Sequence, residues 1–155
     1  MYEGEYKDGK RWNGKMYNSK GDIVLELKNG YGGGKEYDFW NNLIYVGNYV
    51  DGSRNGNVKL FNEGNKIYEG RYEYGKKHGN GKEYNKFGNL IFKGKYEYGK
   101  ASNGKLMEYY KDKLLFEAEF NIYSESGTFF PRQKISIIIK DSEDIFNLSS
   151  KEYYF

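Results

Sequence analysis

One spacing, Tyr-x-Gly-x-Tyr, constrains this chain more than any other feature because it returns at a nearly fixed interval. Tyr68-Glu-Gly70-Arg-Tyr72 comes back as Phe92-Lys-Gly94-Lys-Tyr96, 24 residues later. Aligned on the central residue, the units stand at Gly4, Leu27, Gly47, Gly70, Gly94 and Ala118, in steps of 23, 20, 23, 24 and 24 residues. Such a period marks a repeat array, whose units cannot bury a core alone and must stack on their neighbours. The short step falls at Lys28-Asn29-Gly30, where a hairpin turn is expected to have lost residues.

Each unit has room for two strands of about five residues and two turns. In a strand, successive side chains point to opposite faces. That parity puts Tyr68, Gly70 and Tyr72 on one face and Ile67, Glu69, Arg71 and Glu73 on the other. It also groups Tyr2, Gly4, Tyr6; Tyr45, Gly47, Tyr49; Phe92, Gly94, Tyr96; and Phe116, Ala118, Phe120. One face should therefore carry aromatic ladders with a small residue in the middle, a trough in which neighbouring rings can lie flat. The other face should be mostly charged. The second strand follows Gly-x-Gly-Lys-Glu-Tyr, with Tyr84 as its aromatic and Tyr17, Tyr37, Phe61 and Tyr109 as counterparts. Gly9, Gly30, Gly52, Gly75 and Gly99 sit where hairpins need positive φ. A second set of turns is expected at Asn18–Gly21, Asn62–Gly64 and Lys86–Asn89. With nothing long enough for a crossover helix, sequential antiparallel pairing follows. The fold class predicted is all-β: an elongated, single-layer antiparallel sheet of stacked hairpins.

Composition agrees. The 18 Tyr, 10 Phe and 2 Trp among 155 residues are too many for disorder, and 21 Gly with one Pro suit a meander rather than a helical bundle. Basic and acidic residues number 25 and 22 and are interspersed, so a nucleic-acid partner bound through its phosphates is not expected. The absence of Cys excludes disulfides and thiolate metal sites and fits a cytoplasmic setting. No secretory signal is legible where Met1 leads into Tyr2-Glu-Gly-Glu-Tyr6.

The period ends near residue 120, which divides the chain into an array of five to six units over 1–120 and a capping segment over 121–155. Ile135 to Ile139 reads as a strand, and the acidic start of Asp141 to Leu148 fits a short helix. A hairpin stack leaves an open edge that a differing cap can protect. No counterpart protects the first strand, so either the array extends further or that edge pairs with another chain.

Tyr-x-Gly-x-Tyr followed by Gly and by His78-Gly79-Asn-Gly81 resembles the MORN (membrane occupation and recognition nexus) repeat over roughly residues 1–120. The resemblance implies a grooved ribbon of hairpins with a non-catalytic role in scaffolding, membrane-proximal or cytoskeletal assembly and protein contacts. It also implies proposed phospholipid binding, or a regulatory place beside a catalytic domain. Leu27 and Ala118 depart from the glycine position and should fill the groove locally.

Candidate chemistry is sparse. His78 is the single histidine and has no Cys or second His to join it, so no metal site and no nucleophilic triad are expected. Gly32-Gly33-Gly34-Lys35 and Gly79-Asn80-Gly81-Lys82 run on into strands rather than helices, which argues against phosphate loops and leaves no cofactor expected. Glu69, Glu73, Glu83 and Glu97 lie beside Lys and Arg, where cross-strand ion pairing accounts for them. An enzyme is therefore not expected. The aromatic face is the main candidate. Tyr6, Tyr49, Tyr72, Tyr96 and Phe120 would stack to stabilise the sheet and, if uncovered, would form a groove for a protein segment or a second protomer. The alternative is an acidic membrane surface, met by Lys10, Arg11, Lys76, Lys77 and Lys100 on one row of hairpin tips. Trp12 and Trp40 stand at or near turns, either exposed to a partner or packed beneath the turn.

Overall fold

A computed structural model describes residues 1–110, 113–123, 132–138 and 152–154. Thirteen strands occur among the described residues, the first six being β1 (Tyr2–Lys7), β2 (Lys10–Tyr17), β3 (Ile23–Lys28), β4 (Tyr31–Tyr37), β5 (Leu43–Val50) and β6 (Ser53–Asn62). They continue as β7 (Asn65–Glu73), β8 (Lys76–Tyr84), β9 (Leu90–Glu97), β10 (Lys100–Tyr110), β11 (Lys113–Tyr123), β12 (Arg132–Ile138) and β13 (Glu152–Tyr154). Their spatial order is their sequence order, in one open sheet, and every neighbouring pair is antiparallel. No helix occurs among the described residues. The architecture is the single-layer hairpin array that the alternation predicts. The strand expected at 135–139 falls in β12 over 135–138, and Ile139 and the helix expected at 141–148 lie outside the described residues.

Two kinds of turn build the two long edges. On one edge each hairpin closes with two residues of positive φ, such as Asp51 at 49° and Gly52 at 67°. This geometry matches the right-handed strand twist and explains the Asp-Gly and Asn-Gly pairs in the sequence. Each of these turns from the second onward also bonds to the hairpin before it. The amide of Gly75 donates to the Arg54 carbonyl at 3.0 Å, and that of Gly99 to the Lys77 carbonyl at 2.9 Å. On the other edge the β6–β7 hairpin closes in the same two-residue way at Glu63 and Gly64, while wider turns close on side chains: Asn85 Oδ1 accepts from the amides of Phe87 and Asn89 at 2.9 and 3.0 Å. The same device at Asp38 and Asn42 makes a turn at 38–42, absent from the sequence-based set.

The glycines line up across the sheet. Gly70, Gly81, Gly94 and Gly104 stand directly opposite one another on β7 to β10, and Gly34 faces Gly47 on β4 and β5. At β3 this column steps sideways. Leu27 faces Gly14 on one side, as the repeat alignment implies, but the turn at Asn29-Gly30 comes early and sets Leu25 against Gly34. Two buried leucines therefore plug the column there, not Leu27 alone.

Candidate functional site

In the units centred on Gly47, Gly70 and Gly94 the first aromatic lies over the glycine that follows it. A Cβ added to Gly47 would stand 2.6 Å from the Tyr45 hydroxyl, and one on Gly70 would stand 2.5 Å from that of Tyr68. The Phe92 ring covers Gly94 and Gly104 in the same way. The hydroxyl passes across the glycine to donate to the carbonyl three residues on: Tyr45 to Asn48 at 2.8 Å, Tyr68 to Arg71 at 3.3 Å. The second aromatic then meets the first edge to face, with centroids 5.5 Å apart for Tyr45 and Tyr49 and 5.7 Å for Tyr68 and Tyr72. Each such pair contributes about 0.5–1.5 kcal/mol beyond its buried area. Burial raises the pKa of Tyr45, Tyr68 and Tyr96 far above the ordinary phenol, since the phenolate would be desolvated.

This packing corrects the expectation of an open aromatic groove. Tyr49, Tyr72 and Tyr96 are only 6, 8 and 4% exposed, so these rings are the core of the ribbon rather than a surface for a partner. Of the five rings expected to line it, Tyr6 is exposed at the β1 edge, and Phe120 is half-buried and stacked on Phe92.

Charged side chains complete this face, contrary to the expectation that charge keeps to the other side. Hairpin register sets Arg54 opposite Tyr49, Lys77 opposite Tyr72 and Glu36 opposite Tyr45. Glu36, 4% exposed, is held by Arg11 at 3.3 Å and Arg54 at 3.0 Å. The Arg54 guanidinium lies over the Tyr45 ring at 4.3 Å. Lys77 pairs with Glu83 and sits over the rings of Tyr68 and Tyr96, while the Tyr96 hydroxyl donates to Glu83 at 2.8 Å. Of the five expected headgroup contacts, Arg11 and Lys77 are thus turned into the ring face. Lys10, Lys76 and Lys100 remain exposed along the hairpin edge. The signal for these inward charges was legible: a two-residue turn at Asp51-Gly52 places Arg54 across from Tyr49.

The opposite face is the open one. Over the glycine column the floor of this face is bare backbone, because side chains at these positions are directed to the ring face. A trough segment of about 650 Å³ runs over Gly70, Gly81, Gly94 and Gly104 and is walled by Lys82, Lys93, Lys105, Asn80 and Asn103. A second segment of about 520 Å³ extends it over Gly34 and Gly47 between Lys35, Lys59, Asn48 and Asn57. The two share Glu69 and Gly70. Glu69 is the hub of the wall: Lys66 binds it at 2.7 Å, the Tyr84 hydroxyl at 2.6 Å and Lys82 at 3.5 Å. The Lys66 and Tyr84 hydrogen bonds hold its carboxyl down at about 2. Tyr84 therefore belongs to the charged face, and aromatic rings occur on both faces.

His78 lies 3.3 Å from Glu73 and edge-on to Tyr98, and no cluster of three or more metal-ligating side chains occurs among the described residues. Gly32 to Lys35 and Gly79 to Lys82 lie within β4 and β8, in strands rather than in a phosphate loop. Trp12 is packed against the turn glycine Gly30, with Lys7 over its ring at 4.5 Å. Trp40 is 79% exposed beside a still barer Phe39. Among the described residues no helix is long and apolar enough to cross a membrane. No family model matches the chain, and no curated protein matches it.

Proposed function

We propose that the chain is a non-catalytic interaction module, a rigid ribbon that holds a protein segment or a second copy along one face. The observation that carries this reading is the unfilled trough over the glycine column, in a sheet with no second layer among the described residues to cover it. The resemblance to MORN repeats supports the same class of role, as a scaffold or as a regulatory attachment to an enzyme. Because the rings are consumed in the core, the partner-facing surface is the Lys and Asn side. Immobilised protein is compared with a Lys59→Ser, Lys82→Ser variant and with a Tyr74→Ser, Tyr98→Ser turn variant in capture from cell extract. The trough variant should lose partners that the turn variant retains. Identical capture by all three proteins would defeat the reading.

A second reading is favoured by one edge. Lys10, Lys76 and Lys100 are exposed in a row, with Tyr74 and Tyr98 bare at the tips beside the last two. Basic tips flanked by amphipathic rings suit an acidic phospholipid surface. Co-sedimentation with phosphatidylserine vesicles should then fade as salt screens the attraction, and Lys76→Gln, Lys100→Gln should weaken it. Sedimentation that is absent at low salt, or indifferent to both, sinks this alternative.

A further inference from the structure

The trough walls repeat with the units, as two polar rows of different chemistry. Asn57-Val-Lys59, Asn80-Gly-Lys82 and Asn103-Gly-Lys105 occupy the same place on β6, β8 and β10. In each, the amide and the ammonium lie on the polar face while the residue between them points to the rings. The lysines therefore recur on every second strand, about 10 Å apart at roughly 4.8 Å per strand. An amide row runs parallel to them, two residues away along the strands.

The intervening strands break the charge in one region and concentrate it in another. Glu69 stands between Lys59 and Lys82 in register. The equivalent position between Lys82 and Lys105 is Lys93, which faces both directly. Lys105 is paired with Glu117 and Glu119 at 2.8 Å each, and Lys82 reaches Glu69 at 3.5 Å. Lys93 makes no ion pair among the described residues. Like charges directly across a sheet destabilise it. Lys93, set between two lysines whose own carboxylates lie on their far sides, is therefore a cost in the empty protein that an anionic ligand relieves.

The donors select the anion. Lysine offers a compact point charge suited to one carboxylate at a time, and the walls of the larger trough segment include none of the forked guanidiniums that recognise phosphate by two bonds. Asparagine offers one donor group and one acceptor, the complement of a peptide unit. A chain in the polyproline II conformation advances about 9 Å per three-residue turn and returns every third side chain to the same side, close to the spacing of the lysines. We propose that this trough binds an acidic peptide segment lying across the strands in the polyproline II conformation, with carboxylates at every third residue meeting Lys59, Lys82 and Lys105, and Lys93 adding charge between the last two. The inference rests on the interaction-module reading and names the partner's chemistry.

The test uses the full chain and two blocked, labelled peptides of equal composition, one with Glu-Ser-Ser repeated three times and one with the three Glu contiguous. Fluorescence anisotropy should show the spaced peptide binding roughly tenfold tighter than the clustered one. Lys93→Glu should weaken that binding by at least about tenfold while raising the Tm of the free protein, because it removes the like-charge contact. Lys10→Gln, Lys100→Gln on the turn edge should leave binding unchanged. Equal affinity for the two peptides, no measurable binding, or an unaffected Lys93→Glu variant overturns the proposal. So does tighter binding of an acidic oligosaccharide such as a heparin fragment. If the peptides fail while capture from extract still depends on Lys59 and Lys82, the interaction module stands and the acidic-segment inference falls.

Discussion

Arg54 reaches Glu36 at 3.0 Å from the strand two places along the sheet, and the carboxylate it holds is otherwise sealed from water. Arg11 closes on the other oxygen at 3.3 Å. One acid thus ties three consecutive units together on the face that the rings occupy. Removing it leaves two guanidiniums facing one another against apolar rings. Glu36→Ala should cost about 2–3 kcal/mol in urea denaturation, toward the low side for breaking a buried pair because both arginines keep partial access to water. Replacing all three by Met, Leu and Met should recover that loss. A Glu36→Ala cost below about 0.5 kcal/mol would show that the triad does not bind the units together.

The glycines fall into two physical kinds, and substitution separates them. At Gly70 the obstacle is crowding: a Cβ would meet the Tyr68 hydroxyl at 2.5 Å and the Asn80 carbonyl at 2.7 Å. At Gly88 there is open space but a φ of 85°. Gly70→Ala should cost about 1–3 kcal/mol by overpacking, and Gly70→Asn more. Gly88→Ala should cost about 1–2 kcal/mol by strain, with Gly88→Asn recovering part of it because Asn tolerates the left-handed region. Thermal denaturation of the four variants distinguishes the kinds by the sign of the Ala-to-Asn change.

Glu69 supplies an acid-dependent part of the stability. Its carboxyl is held down at about 2 by hydrogen bonds from Lys66 and Tyr84, below the ordinary carboxylate value of 4.5. A depressed pKa contributes stability that is fully present above the unfolded value and lost as pH falls toward the folded one. Glu69→Gln should therefore be less stable than the natural chain at neutral pH. The gap should close between pH 4.5 and about 2, as the natural residue takes up its proton. Denaturation midpoints across that range check this, and a gap that is constant with pH would contradict it.

Much of the fold was legible because two-residue alternation and turn glycines are local signals. Tyr68, Gly70 and Tyr72 share a face as their spacing requires, and Asp51-Gly52 closes a hairpin because both residues accept positive φ. What alternation does not state is whether a face is covered. The coverage here comes from each ring lying on the glycine two residues ahead and from Arg54, Glu36 and Lys77 brought in by hairpin register. That register depends on reading two strands together. The double leucine plug at β3 escaped because one early turn shifts the column by two residues while the repeat count stays intact. The polar trough escaped for a different reason: Asn-Gly-Lys looked like a solvated strand until strand register set the Asn and Lys rows of neighbouring units side by side.

Which face is closed can be read directly by nitrating the tyrosines of the folded protein and locating the products by mass spectrometry. Tyr6, Tyr74 and Tyr98 should react readily, while Tyr45, Tyr49, Tyr68, Tyr72 and Tyr96 stay protected until the chain is unfolded. Nitration of Tyr72 and Tyr96 at the rate of Tyr74 and Tyr98 would mean that the rings form an open surface after all, and the assignment of core and binding face would be reversed.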